Sequence, residues 1–334
     1  MAVPTTTTPR RMTANGVRCP KCGQPICRCL LEDRKFLATK VGQMLRGCRP
    51  TTRSEPLVAR PSGPIRLENI EIHSGDCLNV IPELPEVAVV VTSIPYNIGM
   101  PYGETCDDAR PLTEYLEWLR ARFEAIRAKL RDDGSFFLNM DGDGWTPFQV
   151  AGVLQPLFCL QNRIQWVKSA VVPERQCPHC RKPIPSQQIG HFRTIGGDIS
   201  LNRCGEFLLH LTKHRDVRLD RQAVGVGQAD KTHVVRFGSP THCAGNQWFI
   251  PYDTRTEEAE HPCPFPVALV KRCIMLHGLR KPDLLVLDPF MGHGSAMRAV
   301  VELNREYGLG IRGIGVEINP EYCRRAVAFI QGGC

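Results

Sequence analysis

The chain of 334 residues carries 42 Lys and Arg against 34 Asp and Glu, a formal net charge of +8. Its length exceeds one typical core and falls short of two, so one large α/β domain with appendages is expected; no apolar run nears the roughly 18 residues of a membrane span, which excludes a spanning helix and predicts a soluble, cytoplasmic protein. The 16 cysteines, in a chain this large without a signal-peptide pattern, predict reduced thiols and metal ligation rather than a disulfide framework.

The charge is unevenly placed. Residues 1–64 hold 12 Lys/Arg against 3 Asp/Glu, 65–160 hold 7 against 15, 161–240 hold 13 against 6, and 241–334 hold 10 of each. Two basic segments thus flank an acidic one, which suits a polyanion such as DNA, because Lys and Arg gain affinity by displacing phosphate counterions. A solvated basic surface is the competing reading.

In chain order, residues 1–64 are rich in Thr, Arg, Pro and Cys and predict a basic appendage, with one short helix near Leu30 to Leu45 and a Pro-rich linker at 50–64. The core is expected to begin at Ile65. Ile70 to His73 and the apolar run Val87 to Thr92 predict strands, Thr113 to Leu130 a helix, Ser135 to Met140 a strand, Phe148 to Phe158 a helix and Arg163 to Lys168 a strand. Strands alternating with helices predict a Rossmann-like, mostly parallel, doubly wound sheet whose ligands bind beyond the C-terminal strand ends. Residues 170–245 break the rhythm and predict a basic insertion. Regularity returns with a helix at Pro266 to Leu276, a strand at Leu284 to Leu287, a helix at Ser295 to Leu303, a strand at Gly313 to Ile318 and a last helix at Pro320 to Ile330. Domains are accordingly expected at 1–64, 65–169, 170–245 and 246–334. Scattered cysteines such as Cys77, Cys159, Cys273 and Cys323 read as small core residues.

Two segments carry chemistry. In V-V-V-T-S-I-P-Y-N (residues 89–97), an apolar strand delivers Ser93, Ile94, Pro95 and Tyr96 to its C-terminal end, where Ser93 and the Ile94 carbonyl offer acceptors and Tyr96 a flat face; that set suits an exocyclic amine on a nucleobase. A Pro-terminated strand with a core tyrosine is the plainer alternative. In L-L-V-L-D-P-F-M-G-H-G-S-A (284–296), a strand leads through Asp288 into Gly292 and Gly294, which let backbone approach a ligand before a helix starts. Glu317 ends the following strand, where an acidic side chain can grip ribose hydroxyls.

Together these segments resemble the DNA amino-methyltransferase family, which methylates cytosine N4 or adenine N6 and carries a D/N/S-P-P-Y motif with a D-P-F-x-G-x-G-T motif. The catalytic motif comes first, as in the permuted beta-type subgroup. G-D-C-L at 75–78, H-P-C-P-F-P at 261–266 and G-V-E-I-N-P-E-Y at 315–322 extend the likeness over about residues 65–170 and 245–330. The resemblance implies the S-adenosylmethionine-dependent methyltransferase fold, with Asp76, His261, Phe265, Asp288, Pro289, Phe290, Gly292, Gly294, Ser295 and Glu317 around S-adenosyl-L-methionine and Ser93 to Tyr96 as the catalytic element. It also implies double-stranded DNA as partner, a flipped target base, a bacterial or phage-type intracellular setting and, in restriction-modification, a cognate restriction endonuclease. Two positions depart from the motifs: Ile94 replaces the first proline and Ser295 the threonine, and both keep the functional group. Ser93 favours cytosine N4, whereas Asn97 is common in adenine N6 enzymes; cytosine N4 is the preferred reading. No covalent cysteine intermediate is required, which argues against the C5-cytosine class. A zinc-containing DNA-binding protein with a degenerate site is the alternative from another class.

C-P-K-C-G-Q-P-I at 19–26 and C-P-H-C-R-K-P-I at 177–184 repeat one pattern, and each supplies two ligands to a tetrahedral structural zinc. Either Cys19 and Cys22 join Cys177 and Cys180, or Cys27 and Cys29 complete a local site while the second pair recruits His191 or Cys204. The insertion between the two halves is expected to read DNA through Arg175, Arg181, Lys182, Arg193, Arg203, Lys213 and Arg215, with Arg218 and Arg221 as further candidates. Asn246 and Trp248 are candidates for the base pocket, a core role being the plainer one for Trp248.

Overall fold

Every residue of Val87 to Thr92 is buried, and successive side chains of a strand point to opposite faces, so this segment needs cover on both sides. In the computed structural model, which describes residues 63–100, 107–172, 175–176, 181, 183–184, 187–190, 203–227, 241–251 and 266–332, that cover is provided by helices on both faces of a ten-stranded sheet. The chain divides into two compact units, Met1–Val58 with Val171–Gln187, and Ala59–Ala170 with Gln188–Cys334. Of the first, β6 (Arg175–Gln176) and β7 (Pro183–Ile184) are described, paired antiparallel. The second carries every described residue of the site.

The strands in chain order are β1 (Ile65–Leu67), β2 (Ile70–Ser74), β3 (Val87–Ser93), β4 (Leu130–Met140), β5 (Cys159–Val172), β8 (Gln187–Gly190), β9 (Gly205–Thr212), β12 (Gln247–Ile250), β13 (Leu285–Asp288) and β14 (Arg312–Glu317). A small hairpin-like pair, β10 (Val226–Gly227) with β11 (Thr241–His242), lies apart. In space the order is β1-β2-β14-β13-β3-β4-β9-β5-β12, with β8 beside β5. β2, β14, β13, β3 and β4 run parallel, as expected of strands joined by helices.

The helices are α1 (Cys77–Val80), α2 (Leu112–Lys129), α3 (Thr146–Leu154), α4 (Val267–His277), α5 (Ser295–Tyr307) and α6 (Pro320–Gln331). Alternate residues of β3 divide between two apolar clusters: Val89 and Val91 pack with α4, α5 and α6, while Val90 packs with Tyr115, Leu119, Phe123 and Ile126 of α2 and with α3. Asn319 caps α6, accepting the Glu321 N–H at 2.9 Å with Pro320 at the first helical position, and Gly308 closes α5 in the left-handed region. Among the described residues no helix is long and apolar enough to cross a membrane.

One expectation is corrected. Residues 170–245 are not all insertion, because β9 runs through the sheet between β4 and β5, antiparallel to both (Asn139↔Leu208, Ile164↔Leu208). Between Glu206 and Thr212 the strand is apolar except for His210, and that ring is wholly buried: Asn162 Nδ2 lies 2.9 Å from its Nδ1 and Ser135 Oγ 3.0 Å from its Nε2. Partnered in this way, a histidine is tolerated in a core strand.

Candidate active site

The two motifs meet where the sheet reverses its winding. From β3 the chain proceeds outward to β4, whereas β13 lies on the other side of β3 (Val286↔Val89, Leu287↔Val90) and leads to β14, so a crevice opens between the C-terminal ends of β3 and β13. One hydrogen bond joins them: Thr92 Oγ1 donates to Asp288 Oδ1 at 2.6 Å across 196 positions of sequence. The Phe290 N–H donates to the same oxygen at 3.1 Å. Burial pushes the Asp288 carboxyl up to about 7, opposed by these two hydrogen bonds and reinforced by the charge of Glu317.

Beyond Asp288, the loop Pro289 to Gly294 is held by Glu317. Its carboxylate accepts the Gly292 N–H at 2.8 Å and the Asn319 N–H at 2.8 Å, and its main-chain carbonyl accepts the Gly75 N–H at 2.9 Å. Burial raises its pKa against those backbone hydrogen bonds. Gly294 has φ 90°, and a Cβ there would stand 3.1 Å from the Ala326 side chain, so only glycine lets α5 start this close to α6. Phe290 packs on Trp118 with ring centroids 5.7 Å apart, and Trp118 carries the Arg122 guanidinium 3.9 Å from its ring centroid on α2. Arg122 in turn binds both oxygens of Asp76, at 2.7 and 3.0 Å, and Asp76 caps α1 through the Leu78 N–H.

These residues fit S-adenosylmethionine. Two buried carboxyls whose pKa values are raised by burial face a loop with close backbone approach, beside an aromatic wall of Phe290 and Trp118. A cationic sulfonium compound with ribose hydroxyls and an adenine ring is complementary to that set.

At the end of β3, Ser93 Oγ lies 3.1 Å from Tyr96 OH, and Tyr96 OH donates to Glu206 Oε2 at 2.9 Å. Asn139 Nδ2, from the end of β4, donates to Tyr96 OH at 2.7 Å and to Glu206 Oε2 at 2.6 Å, and Lys168 of β5 pairs with the other carboxylate oxygen. The turn itself is braced twice. Tyr115 OH donates to the Pro95 carbonyl at 2.6 Å, and the buried Asp108 carboxylate accepts the N–H groups of Asn97, Ile98 and Met100 at 2.8, 3.1 and 2.9 Å. Asn97 adopts φ 57°, a left-handed conformation that Asn tolerates better than most residues.

A family model described as DNA methylase, of the N6/N4 type, matches residues 87–328. The chain belongs to that DNA methylase family. Its relatives include the Type II methyltransferase M.XycI of Xanthomonas campestris pv. cyanopsidis, 27% identical over 327 residues covering 86% of this chain and 93% of the relative. The Type II methyltransferase M.Cfr9I of Citrobacter freundii is 27% identical over 293 residues, covering 81% and 91%. Among solved structures, the PvuII DNA methyltransferase (cytosine-N4-specific) shares the fold with a TM-score of 0.53 at 19% identity, over 78% of this chain and 85% of that one.

Within the methylase, the sequence-predicted residues Ser93, Ile94, Pro95, Tyr96, Asp288, Pro289, Phe290, Gly292, Gly294, Ser295 and Glu317 all lie on the ends of β3, β13 and β14 or the loop entering α5. Asp76 stands at the end of β2 but is engaged by Arg122 and the start of α1. His261 and Phe265 lie outside the described residues, as do Lys182, Arg193, Cys19, Cys22, Cys27, Cys29, Cys177 and Cys180. Among the described residues no group of three His, Cys, Asp or Glu could hold a metal.

Arg175 is in β6, and Arg181 is exposed at φ 54°. Arg203 stands at the end of the sheet that carries Ser93, tied to the Gly142 carbonyl at 2.6 Å and to Asp143 at 2.7 Å. Lys213 and Arg215 lie elsewhere. Because β9 runs antiparallel to β4, it carries them to the end of the sheet away from Ser93, where Lys213 sits 3.4 Å from Asp132. Trp248 is core, 2% exposed, and Asn246 donates to the Arg163 carbonyl. The residues that sequence reasoning missed are Glu206, Asn139, Lys168, Tyr115, Asp108 and Trp118. They come from β9, β4, β5, α2 and the loop before α2, and no linear motif groups them.

Proposed function

We propose that this methylase transfers a methyl group from S-adenosylmethionine to the exocyclic amine of a base flipped out of double-stranded DNA, with cytosine N4 as the target. The single observation that carries the reading is the Thr92–Asp288 hydrogen bond, which sets the Ser93–Tyr96 turn directly beside the Asp288–Gly294 loop. When bound, the cofactor supplies an electrophilic methyl on a sulfonium. The chain's own residues do the rest. The amine nitrogen of cytosine or adenine has its lone pair drawn into the ring, and acceptors on its two hydrogens restore nucleophilicity. Ser93 Oγ and the Ile94 carbonyl are those acceptors, Tyr96 supplies the stacking face for a base taken out of the duplex, and Asp288 and Glu317 hold the cationic partner in line with it. Ser93 favours cytosine N4 over adenine N6, and the N4 specificity printed for the PvuII enzyme supports the same choice. The Type II names of the relatives support a protective role beside a restriction endonuclease.

Separate losses test the division of labour. Asp288→Asn is expected to weaken cofactor binding about tenfold or more, whereas Tyr96→Ala is expected to leave cofactor binding within about twofold and to abolish transfer of tritiated methyl to duplex DNA. Full turnover by Tyr96→Ala would remove Tyr96 from the base pocket.

A further inference from the structure

Glu206 opens β9, comes from the segment expected to be an insertion, and is part of neither motif. It nevertheless terminates the hydrogen-bond chain from the catalytic serine. Glu206 is 8% exposed and Asn139 1%, so water competes poorly with the bonds among Ser93, Tyr96, Asn139 and Glu206.

The polarity of this chain is fixed by its ends. The Asn139 Nδ2 group only donates and an ionised carboxylate only accepts. The phenol proton of Tyr96 therefore goes to Glu206, and the phenol oxygen accepts from Asn139 and from Ser93. The one proton of Ser93 is then committed to Tyr96, which leaves Ser93 Oγ an acceptor for an incoming N–H.

We propose that Glu206 is a positioning residue for methyl transfer, acting through Tyr96 to hold Ser93 Oγ as an acceptor for the target amine and to fix the ring on which the base stacks. The inference rests on the assignment of Ser93 and Tyr96 to the base pocket. A glutamine at 206 is the discriminating change. The carboxylate accepts at both oxygens, from Lys168 at one and from Tyr96 and Asn139 at the other. A carboxamide offers one acceptor, and the Lys168 ammonium claims it, so the amide N–H₂ turns to Tyr96. Tyr96 then loses its carboxylate acceptor, and nothing any longer commits the Ser93 proton to the phenol oxygen.

The test uses the purified full chain, tritiated S-adenosylmethionine and unmodified genomic DNA, with Glu206→Gln, Tyr96→Phe and the double variant. Each single change is expected to lower kcat by about 10- to 100-fold while the cofactor Kd stays within about twofold, and the double variant is expected to be no slower than the slower single one. Tyr96→Phe keeps the ring and severs the chain, so it carries the test even if Glu206→Gln loses its thermal unfolding transition. Turnover within about twofold of the unaltered chain in either single variant, or losses that multiply in the double variant, would overturn the positioning role and leave the methyltransferase reading intact. If the unaltered chain transfers no methyl to DNA, the functional reading falls and the role of Glu206 with it.

Discussion

At neutral pH the Asp288 carboxyl stands near its own midpoint, because burial has moved it from 3.8 to about 7. The contribution of this group to folding stability is present in acid below the ordinary aspartate range and is lost as pH rises through about 7, since only the neutral form is at ease without a countercharge. A bound cation reverses the preference. Affinity of the free protein for S-adenosylmethionine is therefore expected to strengthen between pH 6 and 8 and to level off above, as measured by titration calorimetry. Asp288→Asn is expected to bind more weakly and to flatten that dependence. A wild-type affinity that is constant over the range, or that weakens, would contradict the assignment. Residues adjacent in the chain, such as Ser93 to Tyr96 and Asp288 to Gly294, were legible because a motif is a local object. Glu206, Asn139 and Lys168 were not, because they converge from β9, β4 and β5, and spacing along the chain carries no record of that convergence.

At the scale of elements, β9 is where sequence patterning misled. Its run F-L-L-H-L is apolar enough for a buried strand, but the basic residues on either side and His210 within it gave it the look of a loop. The structure removes the conflict by pairing. His210 Nε2 and His277 Nδ1 lie 3.0 and 2.9 Å from the same Ser135 hydroxyl, joining β9 and α4 through β4. Burial, followed by the charge of Lys281, pushes both imidazoles down to about 3. A histidine depressed in the folded state contributes stability that is present above its ordinary value of 6.5 and is lost as pH falls below it. The contribution of this histidine pair to stability in urea is therefore expected to be smaller at pH 5.5 than at pH 7.5, opposite in sign to that of Asp288. Ser135→Ala is expected to cost about 1–3 kcal/mol at pH 7.5, by leaving two buried rings without their shared partner. A Ser135→Ala protein as stable as the original would show that the hydroxyl bridges nothing of consequence. The parallel elements were predicted to within a few residues, because Val87–Ser93, Leu285–Asp288 and Arg312–Glu317 are near-continuous apolar runs bounded by turn chemistry.

For the whole molecule, the decisive fact is an adjacency that no reading along the chain contains. β13 and β14, near the C-terminus, sit between β2 and β3, so the last quarter of the sequence completes the sheet that its first regular strands begin. Alternation of strands and helices predicted the layers, but not which strands would be neighbours, and the crevice between the two motifs exists only because β13 docks on β3. The acidic block at 65–160 and the basic block at 161–240 likewise acquire meaning in space. Acidic residues such as Asp141 and Asp143 line the turn after β4 and hold Arg203, so part of the basic surplus is matched within the chain and part of it, such as Arg215, stands exposed at the opposite end. The measurement that tests the central claim most directly is the identity of the labelled nucleoside. After incubation of duplex DNA with the protein and methyl-tritiated S-adenosylmethionine, enzymatic digestion and chromatography are expected to place the label in N4-methyldeoxycytidine; DNA without label, or label on a ring carbon, would contradict methylation of an exocyclic amine.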